Sequence, residues 1–176
     1  SFERSYESIL KRLSKRAVRI QLPIGAEGRF EGVIDLLKMK AYHFEGEMGM
    51  QVVEGEIPGV LLAEAKSARA ELIEKIVEHD DELMTLYFEG KEPSYDDLAK
   101  ILRKAVVANK IFPVMIGSAL KNKGVQLVLD AVVNYLPSPA ELLPVKGINP
   151  KTGEEVERKP SDDEPFCALA FKLQTD

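Results

Sequence analysis

The sequence predicts an α/β fold in which part of a parallel sheet carries an inserted α+β subdomain. Residues Ile111 to Ile116 form a nearly unbroken apolar run, which is typical of a strand buried on both faces of a parallel sheet. A helical pattern follows this run after a short polar loop. An early segment, Val18 to Leu22, also has the pattern of a strand. Between it and this run, segments of alternating apolar and polar residues are followed by helical segments, which predicts an insert over about residues 27 to 109.

Composition narrows the class of protein. The 176 residues are 45% hydrophobic and 30% charged, and no apolar run approaches the roughly 20 residues of a membrane-spanning helix. We therefore expect a globular protein without a membrane partner. The net charge of −5 argues against broad nonspecific binding to nucleic acid. The single cysteine, Cys167, fits a reducing compartment, so we expect a cytoplasmic protein, and the absence of an initiating methionine predicts a fragment.

The first elements are an amphipathic helix over Ser1 to Arg16 and a half-buried strand over Val18 to Leu22, which Pro23 to Gly25 is expected to break. The basic face of the helix could contact RNA or simply be solvated, and solvation is the commoner explanation. Short alternating segments then predict a small antiparallel sheet, with glycines 46 and 49 in a turn: Phe30 to Leu36, Ala41 to Phe44 and Gln51 to Glu54.

A helix is predicted from about residue 57 to 78, with a buried face and an acidic face. Its buried face comprises Leu61, Ala65, Ala68, Leu72 and Ile76. At 100° per residue, four glutamates fall within roughly 80° of one another and form what we term the acidic stripe: Glu64, Glu71, Glu74 and Glu78. Like charges at this spacing destabilise a helix by a few tenths of a kcal/mol per pair. The stripe is thus a candidate docking surface, although the residues alone favour a solvated face.

Two further helices complete the insert. Glu82 to Phe88 predicts a short helix, and Ser94 to Asp97 is a capping box with Asp in place of Glu. The helix that Ser94 begins is predicted to bury Leu98, Ile101, Leu102, Ala105 and Val106.

The polar loop Ser118 to Gly124 is the candidate ligand site, because loops at the carboxyl ends of parallel strands are where α/β sheets bind ligands. A plain strand-to-helix turn is the alternative. The helix after the loop is predicted to place its apolar residues on one face and to stop at Pro137 and Pro139. That face comprises Val125, Val128, Leu129, Val132, Val133 and Leu136. Beyond it, we predict a linker with one hairpin around Lys151 to Gly153, and a strand over Phe166 to Leu173.

Several stretches closely resemble bacterial elongation factor G, above all GSALKNKGVQ followed by a helix and YLPSP. Three further stretches resemble the same family: QLPIG, EGVIDLLKMKAY and DEPFCALAFKLQTD. The resemblance implies that Ser118, Ala119 and Leu120 line a guanine pocket, with backbone N–H groups near the carbonyl oxygen of the base. Leu120 departs from the Phe that many relatives have.

The resemblance also implies a domain assignment. Residues 1–26 and 110–139 would be the C-terminal part of a GTPase domain, a remnant of a P-loop-type nucleotide-binding sheet. Residues 27–109 would be the inserted subdomain, 140–163 a linker, and 164–176 the first strand of a β-barrel domain. The implied partners are the ribosome and the C-terminal domain of its large-subunit stalk protein, docked on the acidic stripe. Contact with ribosomal RNA stays open for the intact protein.

The chemistry of phosphate transfer is missing from this sequence. GTP hydrolysis requires a glycine-rich loop ending in Gly-Lys-Ser/Thr, whereas the only such pair, Gly90-Lys91, precedes Glu92. We expect GTP or GDP with Mg²⁺ in an intact factor, but neither useful nucleotide binding nor catalysis by this chain, which supplies no catalytic residue. His43 and His79 lie in no metal-ligand pattern.

Two alternatives stay open. The chain could be a non-enzymatic interaction module that docks a basic partner through its acidic helix. It could also derive from a specialised ribosome-recycling or ribosome-protection paralogue rather than from a translocation factor.

Overall fold

The computed structural model describes residues 1–174, and they confirm the predicted α/β class. The chain divides into two units, Ser1–Leu136 and Pro137–Asp176. The helices are α1 Phe2–Arg12, α2 Gly59–Val77, α3 Asp81–Phe88, α4 Tyr95–Val107 and α5 Val125–Tyr135. The strands are β1 Ala17–Arg19, β2 Gln21–Ile24, β3 Gly32–Asp35, β4 Lys40–Glu45, β5 Gln51–Gly55, β6 Phe112–Val114, β7 Val145–Ile148 and β8 Glu155–Arg158.

The predicted strand Val18 to Leu22 is wrong in its bounds, because the chain passes from one sheet to another at Ile20. Before this residue, β1 pairs in parallel with β6, and Val18 lies opposite Pro113. After it, β2 pairs antiparallel with β3. The N–H of Ile20 donates to Val114 O over 3.2 Å, whereas its carbonyl accepts from Leu36 N over 3.0 Å. One residue thus joins the parallel pair to the antiparallel sheet.

The antiparallel sheet has the order β2-β3-β4-β5, as the alternating segments predicted for its last three strands. Pro23 does not break β2, which continues to Ile24. A proline is tolerated there because β2 is an edge strand of this sheet and a missing N–H leaves no ladder bond unmade. The turn begins at Gly25, whose φ of +77° and close approach to Arg29 O exclude a side chain.

The main core lies where α2 and α4 pack on the sheets. The predicted inner face of α4 is confirmed, since all five of its residues are buried. On α2, Ala65, Ala68, Leu72 and Ile76 are buried as predicted, and Leu61 is half-buried. The Ser94 hydroxyl accepts from Asp97 N over 3.2 Å, which confirms the cap at the start of α4.

One burial prediction near the candidate site is wrong. The run Ile111 to Ile116 is buried only at Ile111, and Phe112 is 39% exposed, because β6 pairs on one side only. The helix α5 forms as predicted, and most of its predicted apolar face is exposed, with Val125 half-buried. Its inner side is formed instead by Leu127, Ala131 and Tyr135, which are half-buried. The exposed apolar residues are Val128, Leu129, Val132, Val133 and Leu136.

The second unit contains the predicted hairpin, formed by β7 and β8 around a turn in which Gly153 has a φ of +74°. The predicted strand Phe166 to Leu173 is not formed, and both Phe166 and Phe171 are at least 90% exposed. A strand needs a neighbour for its backbone N–H and C=O groups, and residues 165–174 pair with none of the described residues. The last two residues of the segment 164–176 lie outside the described residues.

Candidate nucleotide-base loop and docking surface

The loop after β6 closes on itself as a small ring. Ser118 N donates to Lys123 O over 2.8 Å, and Lys123 N donates back to Ser118 O over 3.1 Å. Between them, residues Ala119–Lys121 form a single 3-10 turn, which ends at Asn122 with a φ of +50°. The ring therefore has a fixed backbone conformation at the carboxyl end of a parallel strand.

Two glycines allow the ends of this loop to meet. A Cβ on Gly117 would lie 2.8 Å from Lys123 O, and a Cβ on Gly124 would lie 2.7 Å from Ile116 O. Gly124 also has a φ of +85° as the residue preceding α5. Gly117 is crowded, and Gly124 is both crowded and left-handed, so glycine is the residue that fits each position.

The three predicted base-contacting residues are consecutive in the ring and differ in exposure. Leu120 is 88% exposed, Ala119 is exposed and Ser118 is half-buried. The backbone bonds within the ring come from the N–H groups of Ser118, Lys121, Asn122 and Lys123. The N–H groups of Ala119 and Leu120 begin the 3-10 turn and take no part in these bonds, as is usual for the first residues of a helix. They can donate to an acceptor in solution or on a ligand.

The acidic stripe is exposed along α2, but part of its charge is neutralised within the fold. Glu71 accepts from Arg19 over 2.7 Å, and Glu78 forms an ion pair with Lys75 at 3.1 Å. No ion pair of Glu64 or Glu74 is found among residues 1–174. The structure thus places all four glutamates on one accessible surface and leaves two of them unpaired there.

A half-buried polar cluster at Asp35 was not singled out by the sequence. The Asp35 carboxylate accepts from the N–H groups of Leu37 and Lys38 over 2.8 and 2.9 Å, and burial nevertheless raises its pKa. Burial also raises the pKa of the nearby Tyr135 hydroxyl. The sequence Asp-Leu-Leu-Lys could have indicated an Asx turn, but its burial depends on α5, which is distant in sequence. We assign this cluster to holding the β3–β4 turn.

Neither a metal cluster nor a membrane-spanning helix is found in the part of the chain that the structure describes. Among residues 1–174, no three His, Cys, Asp or Glu side chains are grouped so that they could hold a metal ion. No helix there has both the length and the apolar character to cross a membrane.

Comparison with known proteins finds a similar structure but no matching family. No protein-family model matches the chain. The crystal structure of a protein from Thermus thermophilus is similar, with 28% sequence identity, a TM-score of 0.70 and coverage of 89% of this chain. The matched region covers 24% of the Thermus chain, so this chain spans about a quarter of that protein's length. The two proteins share this α/β fold.

Proposed function

We propose that this chain is the part of a ribosome-dependent translational GTPase, similar to elongation factor G, that supplies the guanine-base loop and a partner-docking insert. The observation that carries the proposal is the glycine-framed ring at the carboxyl end of β6. Its position is the one at which α/β sheets bind ligands. Its N–H groups at Ala119 and Leu120 are oriented by the 3-10 turn and are unused within the ring.

The donor set of the ring fits a guanine base but not the phosphates of a nucleotide. Two adjacent backbone N–H groups suit the carbonyl oxygen of guanine, whereas adenine offers an amino group at the same position, which would be repelled. The sequence contains no glycine-rich Gly-Lys-Ser/Thr loop for phosphates and Mg²⁺. In this proposal the bound GTP supplies the energy of translocation, and residues outside this chain carry out its hydrolysis.

The acidic stripe supports the second half of the proposal. Glu64 and Glu74 are exposed carboxylates without ion pairs among the described residues, so they can pair with lysines of a docked partner. Such pairing steers association and weakens with salt. The partner that we propose is the C-terminal domain of the large-subunit stalk protein, on a ribosome in the cytoplasm. Glu71 contributes less, because Arg19 already occupies it.

A second candidate function, that of a non-enzymatic docking module, is favoured by the same unpaired glutamates. It requires the stripe but not the base loop. A ribosome-recycling or ribosome-protection paralogue is a third candidate, and it shares both sites with the first.

The experiment that tests the proposal is cosedimentation of the purified chain with large ribosomal subunits, intact and stripped of the stalk protein. We expect the chain to pellet with intact subunits and to stay in solution with stripped ones. The triple variant Glu64→Gln, Glu74→Gln, Glu78→Gln, which removes three negative charges from the stripe, is expected to lose pelleting.

The matched control removes the same charge elsewhere, at three exposed glutamates of the antiparallel sheet and its turns: Glu31→Gln, Glu45→Gln and Glu47→Gln. The control variant should pellet like the original chain. Equal pelleting with stripped subunits, or with the stripe variant, would contradict docking of the stripe on the stalk.

A further inference from the structure

A small apolar cluster connects the insert to the base loop. Phe30, Val33, Tyr42 and Phe44 are buried together on one side of the antiparallel sheet, apart from the main core. Ile116 and Leu127 pack against them: Ile116 immediately precedes Gly117, and Leu127 lies in the first turn of α5. Both ends of the ring therefore rest on the sheet of the insert.

Lys123 reaches from the ring into the insert. Its Nζ donates to the carbonyl oxygen of Phe30 over 2.9 Å, and its side chain is half-buried. No ion pair of Lys123 with a carboxylate is found among residues 1–174, and the described partner of its ammonium is a backbone carbonyl of the insert. Such a bond is directional, and charge-assisted hydrogen bonds are stronger than neutral ones. The neighbouring Lys121 is exposed and makes no comparable bond among these residues.

The turn between β4 and β5 packs against the same end of the ring. Gly49 is buried with a φ of +61°, and a Cβ there would lie 3.2 to 3.3 Å from Lys123 Cγ and from the carbonyl oxygens of Asn122 and Lys121. Gln126 Nε2 in the first turn of α5 donates to Gly49 O over 3.2 Å. A turn of the insert thus lies in direct contact with the loop backbone.

We propose that Lys123 is a positioning residue, through which the antiparallel sheet of the insert fixes the conformation of the Ser118 to Leu120 loop. It does not contact the base; it holds the ring that presents the N–H groups. The inference rests on the proposed function only in naming these residues as base-contacting. Its consequence is that displacement of Phe30 or of the turn at Gly49 is transmitted to the ring.

The test is amide hydrogen exchange by NMR on the full chain and its variants. Lys123→Met removes the bond to Phe30 while keeping the aliphatic length. Loss of one such bond is expected to speed exchange of the Ser118 and Lys123 amides by about tenfold. Lys121→Met, the matched control, should leave both amides unchanged, and Lys123→Arg, which can still donate to the carbonyl, should restore most of the protection.

The amides of Leu102 and Ala105 in the buried face of α4 serve as the internal reference. A change confined to the ring, with rescue by Arg, supports positioning. Unchanged ring amides, equal acceleration of the reference amides, or failure of Arg to rescue would overturn it. If Lys123→Met does not fold, Gln126→Leu removes the second contact and gives the same readout.

The exchange result is independent of ribosome binding. Protection by Lys123 together with failed cosedimentation would reject the proposed function and keep the positioning role. The reverse combination would reject positioning alone.

Discussion

Arg19 of β1 donates to Glu71 of α2 over 2.7 Å and to Glu3 of α1 over 3.0 Å. Its side chain is only 17% exposed and its guanidinium lies 5.4 Å from the centre of the Tyr6 ring. Arg19 therefore joins β1 to α1 and α2, and it occupies one carboxylate of the acidic stripe within the fold. Among the described residues, Glu64 and Glu74 are left without an ion pair, whereas Glu78 is paired with Lys75.

The first prediction concerns this pair. Glu71→Gln should lower the free energy of unfolding by about 1 kcal/mol at low salt, since Arg19 is mostly buried while Glu71 is largely exposed. Glu64→Gln, which removes an unpaired carboxylate from the same stripe, should change stability by less than about 0.5 kcal/mol. Urea unfolding measures both. Equal effects of the two variants would mean that the pair contributes nothing to stability.

The second prediction separates two costs of replacing a glycine, that of a left-handed backbone and that of crowding. Gly90 and Gly124 have nearly the same φ, +84° and +85°, but only Gly124 is crowded. Gly90→Ala should destabilise by about 1 kcal/mol, the cost of a left-handed backbone. Gly124→Ala should cost about 2 kcal/mol more, because its Cβ would meet Ile116 O at 2.7 Å. Similar unfolding midpoints for the two variants would show that the backbone around Gly124 shifts to accommodate a side chain.

The third prediction is a pH dependence at Asp35. Burial raises its pKa in the folded chain, so the native state binds the proton more tightly than the unfolded state does. The contribution of Asp35 to stability is therefore fully present below its unfolded pKa and is lost as pH rises through the raised folded pKa. The stability of Asp35→Asn, measured relative to the original chain, should thus increase as pH rises from acidic to neutral.

Asp35→Ala is the control for this prediction, because it also removes the acceptor of the Leu37 and Lys38 N–H groups. It should be less stable than Asp35→Asn at every pH. Urea unfolding measures the difference in stability between Asp35→Asn and the original chain. If this difference stays constant with pH, burial does not raise the pKa of Asp35.

The two helices that precede and follow β6 show most clearly which features of the fold could be predicted from the sequence. On α4 one face is apolar and the other charged, so period alone identified all five buried residues. On α5 apolar residues occur on both sides, and period cannot decide which side packs. Tertiary contact decides which side packs, because Leu127 packs on the small apolar cluster of Phe30, Val33, Tyr42 and Phe44, whereas Leu129 is 61% exposed.

The loop Ser118 to Gly124 shows the same division between local pattern and tertiary contact. Its position between strand and helix and its framing by Gly117 and Gly124 follow from local pattern. The bonds from Lys123 to Phe30 and from Gln126 to Gly49 join residues 93 and 77 positions apart, and local pattern contains no signal for them. The change of sheet at Ile20 was missed because one alternating run served two different partners.

The fourth prediction uses the α5 difference. Leu129→Gln should change the free energy of unfolding by less than about 0.5 kcal/mol, although the sequence pattern places Leu129 on the apolar face. Leu102→Ala, in the fully buried core, should cost about 2 to 5 kcal/mol. Chemical denaturation of the two variants compares them directly, and a large loss in Leu129→Gln would mean that this face is covered in solution.

The most direct test of the account is an NMR titration of the isotope-labelled chain with the C-terminal domain of the ribosomal stalk protein, at low and physiological salt. Docking on the acidic stripe predicts shifts confined to the α2 surface between Glu64 and Glu78, weakened by salt and abolished in the triple glutamine variant. A folded chain whose α2 resonances do not move, or move equally in that variant, would contradict the proposed docking.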